Sequence, residues 1–477
     1  MENEDIPHVV MVPWLAMGHL IPFLELSKCL ALKGFLISFI STPKNIEKLP
    51  KIPENISSLI NLVKIQLPQV DNLPDYAEST IDLPSDKVHY LMKAFDGLQV
   101  SLASYLENSV PIPNWIIYDS AAYWLPPIAN KLGIPCAYFC LVNAATIAWN
   151  GPPSILMGIT ENPRKTLEDI LGVPPWVPFP SKVVYRLHEI LRLMKIYNED
   201  NNVTDVPQGY RAGSSVQGAD VVFIRSCTEF ESDWLQLVEQ KICQKPVVPI
   251  GLLPPSSARS YDNDNGEIWR EISEWLDKQK KESVVYVSIG TEATPTEEEV
   301  VELALGLELS QLPFFWVIRN PKSLSGDDSF KLPDGFEDRI SVSGQGYICK
   351  GWAPQVRILA HPSIGGFLTH CGWNSIIESL GLGRALIMLP FLGEQGLNAR
   401  MLEERKVGIE IPRDERDGSF TRDSVAKSLR MVIVDDDGEP FRTKAREMIG
   451  IFGDRDLHDQ YIDKFVRYLQ DYKLKET

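Results

Sequence analysis

The chain has 477 residues, 44% hydrophobic and 23% charged, which at roughly 100 to 200 residues per domain fits two or three domains with full cores and excludes disorder. Its 64 acidic against 47 basic residues give a formal net charge of −17, a surface that repels phosphate backbones and so excludes nucleic acid as an expected partner. No uninterrupted apolar run reaches the roughly 20 residues that cross a bilayer, and the acidic stretch Met1 to Pro7 lacks the basic start and apolar core of a signal peptide, so a cytoplasmic protein without membrane insertion is expected.

Taken in order, His8 to Pro13 reads as an apolar strand, Leu20 to Leu32 repeats apolar residues at helical spacing, and Phe35 to Ile40 is a second strand. This is the opening of a doubly wound parallel sheet. Gly18 and His19 fall at the first strand-to-helix turn, on the carboxyl edge where such sheets bind ligands. Asn61 to Leu67 reads as a strand, Leu73 to Thr80 as a polar loop, Asp86 to Leu106 as a helix, and Trp115 to Tyr118 as a buried strand ending at Asp119. A helix near Ala121 to Leu132, a strand from Pro135 to Phe139, and a strand from Asp220 to Ile224 with a helix after Ser226 complete an N-terminal α/β domain, residues 1–250. Between Gly151 and Gly218 prolines break the pattern, and this long insertion is expected to line an acceptor pocket.

Gly251 to Gly266 is rich in Pro, Ser, Asn and Asp and reads as a linker. The strand–helix pattern then restarts with Ser283 to Ile289, Pro295 to Leu309 and Pro313 to Ile318, a second doubly wound domain over residues 267–455. Its first strand ends in Gly290-Thr291, where a small hydroxyl at the sheet edge could bind a phosphate oxygen. Asp262-Asn263-Asp264 has metal-ligand spacing but stands in a polar run with no strand before it, and Asp435-Asp436-Asp437 is a similar acidic loop. Solvated loops are the favoured reading of both, and no metal is expected. Helices from Pro440 to Ile451 and Leu457 to Tyr472 close the chain, residues 456–477 forming a C-terminal helix.

The stretch from Gly351 to Glu404 carries the chemistry. Ile364 to Thr369 is a short buried strand and Asn374 to Leu380 has helical spacing, so His370-Cys371-Gly372-Trp373 is a strand-to-helix turn. A helix start offers unpaired backbone N–H groups and the positive end of a dipole, and Asn374 and Ser375 add side-chain donors. Such a turn suits a diphosphate. Upstream, Trp352 offers a flat indole before Pro354 and Gln355, suited to stacking on a base. Glu378, one helical turn beyond Asn374, could take two vicinal ribose hydroxyls, and Glu394-Gln395 after the strand Ala385 to Leu389 can read sugar hydroxyls. Base, phosphate, ribose and sugar in that order spell a nucleotide sugar.

The span Trp352 to Gln395 resembles the signature box of plant family 1 UDP-sugar-dependent glycosyltransferases. The resemblance implies the GT-B fold, two doubly wound Rossmann-like domains facing a cleft, with the final helix crossing back to the first domain. It implies that Trp352 stacks on the uracil, that Gln355 and Glu378 hold the ribose, and that His370, Asn374 and Ser375 hold the pyrophosphate, with Ala353 and Gly372 also in the UDP-sugar site. Trp373, Glu394 and Gln395 would read the sugar, with Gly18, Gly290 and Thr291 in the same donor set. It also implies a UDP-sugar donor, with Glu394-Gln395 indicating UDP-glucose, and no cofactor. The alternatives left open are UDP-rhamnose and an aglycone acceptor.

Moving a sugar to a hydroxyl needs a base for the acceptor proton and stabilisation of the leaving diphosphate. By the resemblance His19 is that base and Asp119 orients it, and one displacement inverts the anomeric centre. The segments from Pro13, Leu73 and Asn114 resemble the branch that extends sugars already attached to flavonoids or terpenoids. Trp14, Glu78, Ser79, Thr80 and Glu292 are the expected contacts to such a glycoside acceptor, and a monomer is expected. Two other classes fare worse. A nicotinamide dehydrogenase would want G-x-G-x-x-G after a first strand, and a non-catalytic nucleotide-sugar binder would not need His19 and Asp119. The seven cysteines form no C-x-x-C pair and read as reduced packing residues, Cys371 included.

Overall fold

A computed structural model describes residues 6–201, 204–255, 266–290, 293, 295–318 and 331–472. The first sheet holds β1 (His8–Val12), β2 (Leu36–Ser41), β3 (Ile60–Lys64), β4 (Trp115–Tyr118), β5 (Cys136–Cys140), β6 (Val221–Ile224) and β7 (Val247–Pro249), in the order β3-β2-β1-β4-β5-β6-β7. The second holds β8 (Val284–Ser288), β9 (Phe314–Ile318), β10 (Gly346–Lys350), β11 (Ile364–Thr369), β12 (Ala385–Met388) and β13 (Gly408–Glu410), in the order β10-β9-β8-β11-β12-β13. The recorded pairings are parallel throughout. Parallel strands with helices on both faces bury both sides, which is why β1, β4, β8 and β9 are near-continuous apolar runs with no polar alternation.

Strand order reverses between β1 and β4 in one sheet and between β8 and β11 in the other. At such switch points the connections leave in opposite directions and open a crevice beyond the carboxyl ends. Val12 pairs with Tyr118 and Thr369 with Ser288, so the residues just after these strands are brought side by side. His19 and Asp119 follow one pair; Gly290 and His370 follow the other.

Several predicted boundaries shift. The first helix begins at Met17, so His19 lies inside its first turn. The helix expected over 86–106 is split into Val88–Asp96 and Gln99–Glu107 at Gly97, where a Cβ would meet Pro68 Cγ at 2.6 Å. The insertion expected to be irregular forms helices Pro153–Leu156, Leu167–Leu171, Leu187–Asn201 and Gln208–Gly218. Three-residue β7 and β13 are too short for periodicity to reveal, and the helix Arg422–Ile433, opened by a Thr421–Ser424 capping box, was also not predicted.

The helix Arg455–Tyr472 lies on the first sheet. Phe465 meets Phe223 edge-on at 4.6 Å, and the Trp115 indole N–H donates to the Leu469 carbonyl at 3.1 Å. No helix among the described residues is long and apolar enough to cross a membrane.

Candidate active site

Between the two sheets runs a cavity of about 1030 Å³, lined from the first sheet by Gly18, His19, Asp119 and Ser120 and from the second by Gly290, Trp352, His370 and Gln395 among others. At its N-terminal wall, His19 Nδ1 donates to Asp119 Oδ2 at 2.8 Å. The carboxylate is itself fixed: Oδ2 also accepts the Trp14 backbone N–H at 2.7 Å and Oδ1 accepts that of Ala121 at 3.2 Å. Asp119 is 2% exposed while the His19 side chain is 32% exposed. A buried carboxylate on Nδ1–H places the imidazole lone pair on Nε2, the tautomer a general base requires.

The opposite wall is the turn after β11. Cys371 adopts φ +69°, reversing the chain so that the helix Trp373–Gly381 starts at Gly372. His370 is held between two glycines: a Cβ on Gly290 or Gly372 would meet its Nε2 at 2.6 or 2.5 Å. Burial pushes its pKa down to about 4, partly opposed by the Ser288 backbone, although Nδ1 has no partner of good hydrogen-bond geometry. A neutral imidazole beside the N–H groups of a helix start is a donor without a full charge. Burial raises the Cys371 thiol well above its usual range and its sulfur sits 3.7 Å from the Thr369 carbonyl, so it is a packing residue and not a nucleophile.

Trp352 is 46% exposed and lines the cleft, so its ring is not consumed by packing. Beneath it, Gln355 Nε2 donates to Glu378 Oε2 at 2.8 Å and Ser375 Oγ at 3.1 Å, while Gln355 Oε1 accepts from the Tyr286 hydroxyl at 3.3 Å. Burial raises the Glu378 carboxyl, opposed by the Gln355 bond and the Arg225 charge. Gln395 Oε1 accepts the Phe391 and Leu392 backbone N–H groups, each at 2.9 Å, which pins the side chain at the cleft wall; Glu394 and Ala353 line it too.

Some predicted residues stand elsewhere. Trp373 lines the cleft as expected, but the residue is 3% exposed and its indole N–H donates to the Arg225 carbonyl at 3.1 Å, so the ring itself is packed at the domain junction. The Trp14 ring meets Phe95 edge-on at 5.2 Å and is absent from the cleft wall. Glu78 Oε2 accepts the Lys44 backbone N–H, the Ser79 hydroxyl donates to the Leu15 carbonyl, and the Thr80 backbone N–H donates to the same carbonyl, so these three stitch their loop down away from the wall. What that loop does present is Ile81 and Asp82, with Asp82 holding Lys48 at 2.8 Å, a pair that sequence reasoning missed because neither belongs to a local motif. No described residue between 151 and 218 lines the cleft, against expectation. The insertion braces the second domain through Arg186–Glu410 at 2.9 Å and an Arg400–Glu189 ion pair. Thr291, Glu292, Asp262 and Asp264 lie outside the described residues; Asp435 to Asp437 are exposed.

Two doubly wound domains facing a cleft, with a histidine–aspartate pair at one switch point and a helix start at the other, have the architecture of GT-B nucleotide-sugar transferases. The family described as UDP-glucoronosyl and UDP-glucosyl transferase matches residues 263–455. The chain is 51% identical over 98% of its length to UDP-glycosyltransferase 91C1 of Arabidopsis thaliana, 98% of which is covered. It is 42% identical over 99% of its length to the soyasaponin III rhamnosyltransferase of Glycine max, 97% of which is covered. The structure of Phytolacca americana UGT2 complexed with UDP-2fluoro-glucose and pterostilbene superimposes with a TM-score of 0.74 at 26% identity, covering 97% of this chain and 100% of that one. This chain belongs to the plant UDP-glycosyltransferase family, and it is an enzyme that takes a UDP-sugar and a small-molecule acceptor.

Proposed function

We propose that the enzyme transfers glucose from UDP-glucose, with inversion and without a metal, to a sugar hydroxyl of a plant flavonoid or terpenoid glycoside, the 2-hydroxyl being the expected position. The observation that carries the reading is the His19–Asp119 pair, 2.8 Å apart in the same cleft as Trp352, Glu378 and Gln395. His19 takes the acceptor proton as its oxygen attacks the anomeric carbon, Asp119 supports the imidazolium, and the helix start after Gly372 receives the charge of the departing diphosphate. The Lys48–Asp82 pair on the acceptor side supports a hydroxyl-rich acceptor, because a site built to pair with sugar hydroxyls rejects a molecule lacking them. UDP-rhamnose is the second donor reading, favoured by the name of the soybean relative. A cytoplasmic monomer is proposed with it.

The test is to compare kcat/KM for an aglycone and its monoglucoside with UDP-glucose and UDP-rhamnose, placing the new linkage by NMR. Preference for the aglycone would overturn the sugar-on-sugar reading, and preference for UDP-rhamnose the donor reading. Activity lost with EDTA and restored by Mn²⁺ would overturn the metal-free one.

A further inference from the structure

Arg225, directly after β6, is 4% exposed at the junction of the two domains. Its guanidinium is held on three edges: Nε donates to the Leu252 carbonyl at 2.7 Å, Nη2 to the Leu253 carbonyl at 3.2 Å, and Nη1 to Asn374 Oδ1. A planar fork with three fixed acceptors cannot rotate, so it dictates which way the Asn374 amide points. The amide's other end, Nδ2, then donates at 3.1 Å to the carbonyl of Gly18, the neighbour of His19. That carbonyl is available because residue 22 is a proline inside the helix Met17–Leu32, and the proline lacks the N–H that would have bonded four residues back, to Gly18. Trp373, next to Asn374, closes the same junction by donating to the Arg225 carbonyl at 3.1 Å. A buried cation beside the start of the helix Trp373–Gly381 opposes the helix dipole, a placement that makes electrostatic sense when an anion occupies that helix start.

We propose that Arg225 is a positioning residue for sugar transfer, fixing the Asn374 amide so that it clasps the Gly18 carbonyl and sets the donor's phosphate turn in register with the histidine turn. The proposal rests on the reading of His19 as base and of residues 370–375 as the phosphate turn. In it the Asn374 side chain is a strap between domains, while the helix-start backbone N–H groups meet the diphosphate.

The experiment is a double-mutant cycle of Arg225→Met and Asn374→Ala, reading kcat and KM at saturating acceptor and UDP affinity by calorimetry. Each single variant is expected to lower kcat about 10- to 100-fold by misplacing base against donor, with UDP affinity held within about 3-fold and the double variant no worse than the poorer single. Multiplicative losses would overturn the proposal. So would an Asn374→Ala enzyme that binds UDP weakly yet keeps its kcat at saturating donor, since the amide would then serve the phosphate itself. If circular dichroism shows Arg225→Met unfolded, the Asn374→Ala enzyme, which keeps the guanidinium and its linker contacts, decides by the same kcat-against-affinity split. A His19→Ala enzyme that retained its kcat would instead strike the base reading, separately from the strap.

Discussion

Asp119→Asn isolates what the carboxylate contributes, because the asparagine is nearly isosteric. Oδ2 now accepts two N–H groups, from Trp14 at 2.7 Å and His19 at 2.8 Å, and Oδ1 accepts that of Ala121 at 3.2 Å. An amide has one oxygen. Placed at the Oδ2 position, it keeps both short bonds and sets its NH₂ against the Ala121 N–H; reversed, it drives the His19 proton onto Nε2 and removes the base. In either orientation the negative charge that faces the imidazolium in the proposed transfer is gone. With charge centres about 4 Å apart and an effective dielectric near 20, that attraction is about 4 kcal/mol. Solvent at the partly exposed histidine screens it to about 2 to 4 kcal/mol, which corresponds to a loss in kcat of roughly 30- to 1000-fold. The assay is initial rate at saturating donor and acceptor, with UDP affinity by calorimetry and Tm as controls. A kcat within about 5-fold of the parent enzyme, at unchanged UDP affinity, would refute the role of the carboxylate.

Trp352→Ala removes the exposed indole at the base end and should weaken UDP binding by about 1 to 3 kcal/mol; an unchanged Kd would show that the ring does not stack. Gly290→Ala combines φ +81° with a Cβ 2.6 Å from His370 Nε2, and should cost about 1 to 2 kcal/mol of backbone strain in addition to displacing the imidazole toward the cleft. A fall in Tm with a rise in donor KM is expected, and retention of both would show that the histidine can move aside. Burial holds His188 and His370 down to about 4 from the ordinary 6.5. With the native state favouring the neutral form, their contribution to stability is present above 6.5 and is lost as pH falls toward 4. His188 lies among Glu189, Arg186, Arg400 and Arg413. His188→Phe should flatten the decline of Tm over that window, and a slope equal to the parent's would refute the assignment.

The contiguous stretch from Trp352 to Gln395 was the most legible part of the site. Its ring, turn and carboxylate are spaced along a strand–turn–helix unit whose geometry is local, and Trp352, Gln355, His370, Ser375, Glu378 and Gln395 stand together in the cleft. His19 and Asp119 were placed near the carboxyl edge of one sheet by the apolar strands before them, Asp119 directly after β4 and His19 in the first helical turn after β1, while their pairing came from the family resemblance. The polar loop Leu73 to Thr80 misled, because polarity signals hydrogen bonding without saying to what. Its Ser79 and Thr80 bond the chain at Leu15, and Asp82 faces the cleft instead. The prolines between 151 and 218 misled similarly. They mark interruptions, yet the pieces between them are helices, and Glu189 in one of them and Arg186 just before it reach across to Arg400 and Glu410.

The sequence by itself determined the doubly wound class, the strand-to-helix turn at His370 to Trp373 and the polar residues grouped around it. Each of these depends on periodicity, glycine placement or hydrogen-bonding capacity within one strand–turn–helix unit, over which chain direction and side-chain direction are coupled. Only the tertiary structure decided that the Trp373 ring packs inward, that Lys48 and Asp82 face the cleft, and that Asn374 reaches Gly18 while Arg225 reaches Asn374. Those contacts join residues far apart in the chain. They are selected by which buried donors and acceptors must find partners once two domains close on each other, and no local spacing records that requirement.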